Sequence, residues 1–360
     1  MKKNPKIALV YDRVNKWGGA ERILLLLHEM FPNAPVYTSV YDKNSAPWAK
    51  DLKIKTSFLE RIPFARRHHE FFALFMPFAF EQFDFNKFDY VISLTSEGAK
   101  GIVTNSRTKH ICICLTPTRY LWSGYDLYFK NKLFRVITKP LVWYLRRWDV
   151  AAASRPDTML AISQTVKNRI KKYYQRDSEI VYPPLLLKGS KGNDKKRRKG
   201  YYLVVSRLSQ FTPHKRVELA IRAANRLKLP MKVIGEGDAG YFKSIAGESV
   251  EIVGKVDDAA LSEYYTSAKA LIFPGIEDFG LVMVEAQKYG KPVLAFRDGG
   301  ATEIVIEGKT GEFFDKPTVS SLVNALKKFN NKRYNTDACI KNADRFSKSE
   351  FIKGINRYVK

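Results

Sequence analysis

Residues that build covalent or metal-held structure are scarce in this chain. Three cysteines in 360 residues are too few for a disulfide framework. Two of them, Cys112 and Cys114, alternate with isoleucines, so both side chains are predicted to face one side of a strand. That usage predicts a reduced, cytosolic protein. The five histidines, His28, His68, His69, His110 and His214, lack metal-ligand spacing, and the cysteine pair has no second pair, so no metal is expected. No apolar run reaches the roughly 18 residues that spanning a bilayer requires. The opening Met1-Lys2-Lys3-Asn4-Pro5 leads into an apolar strand without the apolar core of a signal peptide. The expectation is a soluble or peripheral protein.

Acids are also in short supply. Against 62 Lys and Arg stand 36 Asp and Glu, a formal charge of +26, which predicts a large anionic partner. An anionic membrane surface is favoured over nucleic acid, because bases and aromatics interleave on two predicted helices and no nucleic-acid motif is present. One helix is predicted from Phe64 to Met76. The other runs from Phe129 to Trp148 and carries Lys130, Lys132, Arg135, Lys139, Arg146 and Arg147.

Apolar strand-like runs alternate with helical segments throughout, which predicts an α/β protein, and the length suits two cores of ordinary size. The expected division is a first domain over 1–184, a linker over 185–200, a second domain over 201–345 and a terminal helix over 346–360. Within the linker, Lys188 to Lys199 holds seven bases against one acid, the composition of a mobile spacer.

The richest chemistry lies in the second domain. Ala270 to Pro274 reads as a buried parallel strand, and Leu281 to Tyr289 has helical apolar spacing ended by Gly290 and Pro292. The intervening loop and helix start therefore sit beyond a strand's carboxyl end, where open α/β sheets bind ligands. Free N–H groups from Gly280 to Met283, including those of Leu281 and Val282 behind Phe279, suit a diphosphate. Glu277 and Glu285 suit hydroxyls of a sugar and a ribose. Upstream, the strand pattern Tyr201 to Ser206 delivers Arg207, and Pro213-His214-Lys215 opens a helix through Leu227. Both cations are expected at the same sheet edge. Gly235 to Gly240 has the G-x-G-x-x-G spacing after a strand at Met231 to Ile234, but this is the second strand of its half, so a nicotinamide cofactor is not expected.

Ser206-Arg207-Leu208 with Lys215, then Glu277 and Glu285, then Gly299-Gly300-Ala301-Thr302-Glu303 resembles the retaining glycosyltransferase family 4. In the first half, Lys6 to Asp12 with Trp17-Gly18-Gly19-Ala20-Glu21-Arg22, Met76 to Asp84, and Thr116-Pro117-Thr118-Arg119-Tyr120-Leu121-Trp122 resemble its bacterial mannosyltransferase-like branch, which builds O-antigen, capsule and exopolysaccharide. The branch usually carries histidine directly before that Thr-Pro, where this chain has Leu115. The resemblance implies a GT-B fold, with two Rossmann-like domains facing each other across a cleft and the segment Phe346 to Val359 crossing back onto the first domain. It implies transfer of a hexose, first choice mannose from GDP-mannose, to a lipid-linked saccharide with configuration retained and no metal required.

In that reading Arg207 and Lys215 stabilise the departing diphosphate and Glu277 positions the sugar. Glu285 takes the ribose, while Phe279, Gly280, Leu281, Val282, Gly18 and Gly19 approach the donor. Lys255 and Val256, after a strand at Val250 to Gly254, neighbour the base. Arg119, Tyr120 and Trp122, after a strand at His110 to Thr116, take the acceptor. Eight residues between the two glutamates would rise about 12 Å in a helix, too far for the carboxylate pair of a retaining glycosidase at about 5 Å. The resemblance implies a front-face displacement instead, in which the leaving phosphate takes the acceptor proton. The rival expectations are a sugar-nucleotide epimerase, a catalytically weak binding partner in a polysaccharide assembly complex, and a nucleic-acid binder.

Overall fold

Strand runs rich in β-branched and aliphatic residues pair here into two sheets. The computed structural model describes residues 5–187, 200–209 and 213–359. It divides into two compact units, Met1–Tyr182 with Phe351–Lys360, and Pro183–Glu350.

The first unit holds β1 (Ile7–Tyr11), β2 (Val36–Thr38), β3 (Ile54–Thr56), β4 (Tyr90–Thr95), β5 (Lys109–Cys114), β6 (Thr158–Ala161) and β7 (Glu179–Ile180). All pair in parallel in the order β3-β2-β1-β4-β5-β6-β7. The second unit holds β8 (Tyr202–Val205), β9 (Met231–Ile234), β10 (Val250–Gly254), β11 (Ala270–Phe273), β12 (Val293–Phe296) and β13 (Gly311–Phe314). These are parallel in the order β10-β9-β8-β11-β12-β13. Central strands such as β1, β11 and β12 are buried at every residue, as helices covering both faces require. In each sheet the winding reverses beside the unit's first strand, between β1 and β4 and between β8 and β11. That reversal opens a crevice at the strands' carboxyl ends.

The second unit buries one large core beneath its sheet, with Tyr202, Val217, Ile221, Phe242, Leu322 and Phe329 among its members. The first buries an aromatic-rich core that includes Tyr37, Phe80, Phe85 and Phe88.

Two helix expectations need correction. Phe64 to Met76 is not one helix: Phe64 adopts a left-handed φ of 66°, which stops helical continuation in an L-residue. A 3₁₀ segment, His69–Phe75, follows with a kink at Phe72, and an α-helix begins only at Met76–Glu81. The second basic helix begins at Lys132 rather than Phe129 and runs to Ser154. The Asn131 side chain caps it by accepting the N–H groups of Leu133 and Phe134. Near the carboxyl terminus the helix is Lys348–Asn356. The basic stretch Lys188 to Lys199 lies outside the described residues.

Candidate functional site

Chain order brings the ends of β8, β11 and β12 together, because they are neighbours in the sheet. After β11 comes Pro274-Gly275, then Glu277, Asp278 and Phe279, and Gly280 at φ 97° opens the helix Leu281–Lys288. Glycine meets that left-handed requirement without strain. Lys215 ends a short 3₁₀ turn, Pro213–Lys215, ahead of the helix Val217–Leu227. This turn is docked on the β11 loop, with the Ile276 N–H donating to the His214 carbonyl at 2.9 Å. A Cβ on Gly275 would stand only 2.9 Å from the Lys215 carbonyl oxygen. The Lys215 ammonium thereby reaches Glu277 and forms an ion pair with it.

From the third strand, β12, the turn Gly299-Gly300 closes over the same loop. The Gly300 N–H donates to the Glu277 carbonyl at 2.9 Å, and a Cβ on Gly300 would lie 2.0 Å from the Phe279 carbonyl oxygen. No side chain larger than hydrogen fits there.

Glu285 lies one turn into the helix, its carboxylate accepting the Tyr265 hydroxyl at 2.8 Å, while Tyr265 stacks on Tyr289. Phe279 is buried edge-on to Phe346. Arg207 follows β8 and is exposed. Thus Arg207, Lys215, Glu277, Phe279, Gly280, Leu281, Val282 and Glu285 all belong to the crevice between β8 and β11 or its rim. Lys255 and Val256 stand apart: they follow β10, with β9 between it and β8, and Lys255 pairs with Glu236 at 3.0 Å on the surface. The first two glycines of the G-x-G-x-x-G stretch serve packing, since a Cβ on Gly235 would meet the Ser206 carbonyl oxygen at 1.7 Å and one on Gly237 the Leu208 oxygen at 1.9 Å, whereas one on Gly240 would meet nothing within 4 Å.

Sequence reasoning missed Arg216. It takes a left-handed φ of 50°, lays its guanidinium 4.4 Å from the centre of the Phe296 ring, and leaves Nη1 buried without a partner. Burial lowers its pKa, partly countered by Asp298. Its neighbour Lys215 concealed it, because one more base in so basic a chain carries no signal.

In the first unit, Gly18 and Gly19 start the helix Gly19–Met30 after β1. The carboxylate of Asp12 gathers the β4 end: Oδ1 accepts Thr95 Oγ1 and the Ala99 N–H, each at 2.8 Å, and Oδ2 accepts the N–H groups of Ser96 and Glu97 at 2.6 and 3.0 Å. The buried Arg13 guanidinium pairs with Glu97 at 2.6 Å. Burial alone would lower its pKa, yet Glu97 and Asp12 hold it above the ordinary value.

Beyond β5, Leu115 donates its N–H to the Thr95 carbonyl, and the stretch Thr116 to Trp122 is pinned by Asp149. That carboxylate accepts Thr118 Oγ1 at 2.8 Å, Trp122 Nε1 at 2.7 Å and the Tyr174 hydroxyl at 2.7 Å. It also pairs with Lys100 at 2.6 Å, both side chains being about 1% exposed. Burial would lower the Lys100 pKa, but Asp149 keeps it raised. The Arg146 guanidinium covers one face of Trp122 at 5.3 Å and Tyr173 stacks on the ring, so Trp122 is held as a framework residue. Arg119 and Tyr120 are half-buried, and burial pushes the Tyr120 hydroxyl well above its usual pKa. Among the described residues no group of three or more His, Cys, Asp or Glu is placed to hold a metal, and no helix is long and apolar enough to cross a membrane.

Two parallel-sheet α/β units, each wound from a switch point, are the architecture of the GT-B class. Residues 190–346 match the family described as glycosyl transferases group 1. A 41.2 kDa uncharacterized protein in the cps region of Klebsiella pneumoniae is 29% identical over 198 residues, 54% of this chain and 54% of that protein. An uncharacterized glycosyltransferase of Methanocaldococcus jannaschii is 25% identical over 55% of this chain and 56% of its own length. The chain thus spans about half the length of these curated relatives. A GDP-mannose-dependent alpha-(1-6)-phosphatidylinositol monomannoside mannosyltransferase of Mycolicibacterium smegmatis is 28% identical over 34% of this chain and 37% of its own. Among solved structures, Anabaena HepE in complex with UDP and glucose superposes with a TM-score of 0.69 at 18% identity, covering 98% of this chain and 99% of that one. The sucrose-phosphate synthase of Thermosynechococcus elongatus gives 0.74 at 14% identity, covering 98% of each chain.

Proposed function

We propose that this chain is a retaining glycosyltransferase of family 4, in the mannosyltransferase-like branch that builds cell-surface polysaccharide. It moves a hexose, mannose from GDP-mannose by first choice, onto a hydroxyl of a lipid-linked saccharide. One observation carries the reading: Lys215 is bound to Glu277 beside the left-handed Gly280 that opens a helix. A cation, a carboxylate and free amide groups meet at a sheet switch point, where a sugar diphosphate needs all three.

As the glycosidic bond breaks, negative charge grows on the diphosphate. Lys215, Arg207 and the amides at Gly280 to Val282 stabilise it at its place of origin. Glu277 orients the sugar hydroxyls, and Glu285, steadied by Tyr265, takes the ribose. The leaving phosphate accepts the acceptor's proton, so no protein nucleophile is used. Gly18 and Gly19 approach the donor, and Arg119 and Tyr120 take the acceptor with Trp122 as their frame. No metal is required, since protein cations neutralise the diphosphate. The mannosyltransferase names among the relatives and the UDP complex among the solved neighbours support a nucleotide-sugar donor. The cps-region relative supports polysaccharide synthesis.

The protein works at the cytoplasmic face of the membrane without crossing it. Support comes from the helix Lys132–Ser154, whose Leu133, Val136, Ile137, Trp143 and Val150 form an exposed apolar stripe interspersed with bases, a pattern that suits anionic lipid.

Thermal-shift titration against GDP-, UDP-, ADP- and dTDP-sugars tests the donor, and donor consumption with and without a lipid-linked acceptor tests the reaction. Stabilisation by one donor with turnover only in the presence of acceptor is expected. Turnover without acceptor points to an epimerase, and binding without turnover to an assembly partner. Either outcome overturns the proposal.

A further inference from the structure

The second unit carries a cavity of about 580 Å³ at the end of the sheet opposite the crevice, a volume ordinary for a small-molecule site. Its wall begins where the strands begin. Tyr202 is the first residue of β8, Lys269 directly precedes β11, and Lys291-Pro292 precede β12. The strand β8 is four residues long, so at 3.3 Å per residue the cavity stands roughly 13 Å from the crevice.

Its chemistry is one-sided. Lys269, Lys291, Lys332 and Arg333 line it, and no Asp or Glu does. Lys291 donates to the Thr266 carbonyl at 2.7 Å, and Glu312 outside the lining pairs with Lys332 at 2.7 Å. Lys269 and Arg333, both exposed, enter no ion pair among the described residues. The floor is aromatic: Tyr202 and Phe329 are buried, and Phe329 stacks on Tyr334 with ring centres 4.7 Å apart. Four cations around a concave, partly apolar surface concentrate the field on an anion and supply a face for a ring.

We infer that this cavity is a second ligand site, separate from the crevice, for a small molecule carrying an oligophosphate. The inference stands on the cavity alone and is independent of the proposed transfer reaction. The oligophosphate has two possible sources, a free inorganic chain or the phosphates of a nucleotide, so tripolyphosphate and ATP are the two probes.

Calorimetric titration of the full chain with each anion, without added metal, makes the test. Three double variants accompany it: Lys269→Glu with Arg333→Glu in the cavity, Arg207→Ala with Lys215→Ala in the crevice, and Lys43→Glu with Lys50→Glu on an exposed surface of the first unit. The cavity variant is expected to lose one binding event by at least tenfold, with the melting temperature unchanged; that event persists in the surface variant and in the crevice variant, whose own loss is confined to any separate event at the crevice. The tighter of the two probes then identifies the source. Absence of binding to the parent chain at millimolar anion overturns the inference. So does an undiminished affinity in the cavity variant, or an equal loss in the crevice or surface variant, which would assign the anion to the crevice or to the general positive field.

Discussion

Lys215 does two jobs with one ammonium group. It holds Glu277 in place, and in the proposed reaction it meets the charge that develops on the diphosphate. Lys215→Met removes both, and turnover is expected to fall about 10²–10³-fold, the effect of deleting one oxyanion-stabilising donor. A steady-state assay with thermal unfolding as the folding control checks this. His110 makes a prediction about pH. Burial lowers its pKa to about 3 from the ordinary 6.5; its Nε2 meets Ser93 at 2.8 Å and its Nδ1 has no partner. Above pH 6.5 the imidazole is neutral in both folded and unfolded chains and does not affect the pH dependence. Below it the unfolded chain binds a proton that the folded one refuses, so stability falls by about 1.4 kcal/mol per pH unit toward pH 3. Denaturant midpoints between pH 7 and 5 are expected to show that slope, reduced in His110→Gln; an unaltered slope in the variant contradicts the assignment.

At the scale of elements, Asp149 ties the helix Lys132–Ser154 to the stretch after β5 and, through Lys100, to the end of β4. Asp149→Ala leaves the Lys100 ammonium buried without its partner and is expected to destabilise the protein by about 3–5 kcal/mol. Replacing Lys100 by Met as well should recover much of that loss, as paired chemical-denaturation curves would show. Gly300→Ala acts on a loop: the added methyl would collide with the Phe279 carbonyl, and overpacking of this kind costs about 1–3 kcal/mol. Here it also displaces Glu277, so donor binding in the thermal-shift assay should weaken alongside the stability.

These elements also show what a sequence reveals. β8, β11 and the helix Leu281–Lys288 lie within a residue or two of their expected limits, because a buried parallel strand is an unbroken apolar run and glycine or proline marks its exits. The apposition of Lys215 and Glu277, 62 positions apart, was legible only as a consequence of both following neighbouring strands. The Asp149 network was not legible. One aspartate on a basic helix has no periodic signature, and its four partners come from three separate segments. Likewise, aromatic spacing hid the break at Phe64, which depends on a single left-handed dihedral angle.

For the molecule as a whole, a charge of +26 and the exposed apolar stripe on the helix Lys132–Ser154 would act by different physics on the proposed partner, an anionic membrane surface. Flotation with vesicles rich in anionic lipid is expected to carry the protein at low salt. Raising the salt should release part of it through screening, whereas Leu133→Ser with Ile137→Ser should weaken attachment at every salt concentration. Protein that stays entirely unbound under all conditions contradicts membrane attachment.

Cys112, Cys114 and Cys339 are all buried, and burial pushes every one of these thiols upward, Cys112 to about 11 and Cys339 to about 12. Neither access nor thiolate is on offer to an alkylating dye while the fold is closed. The native chain is therefore silent toward maleimides, and any cysteine engineered onto its surface would be a unique attachment point for a fluorophore or spin label. When the native sulfurs do begin to react, the dye is counting molecules that have opened.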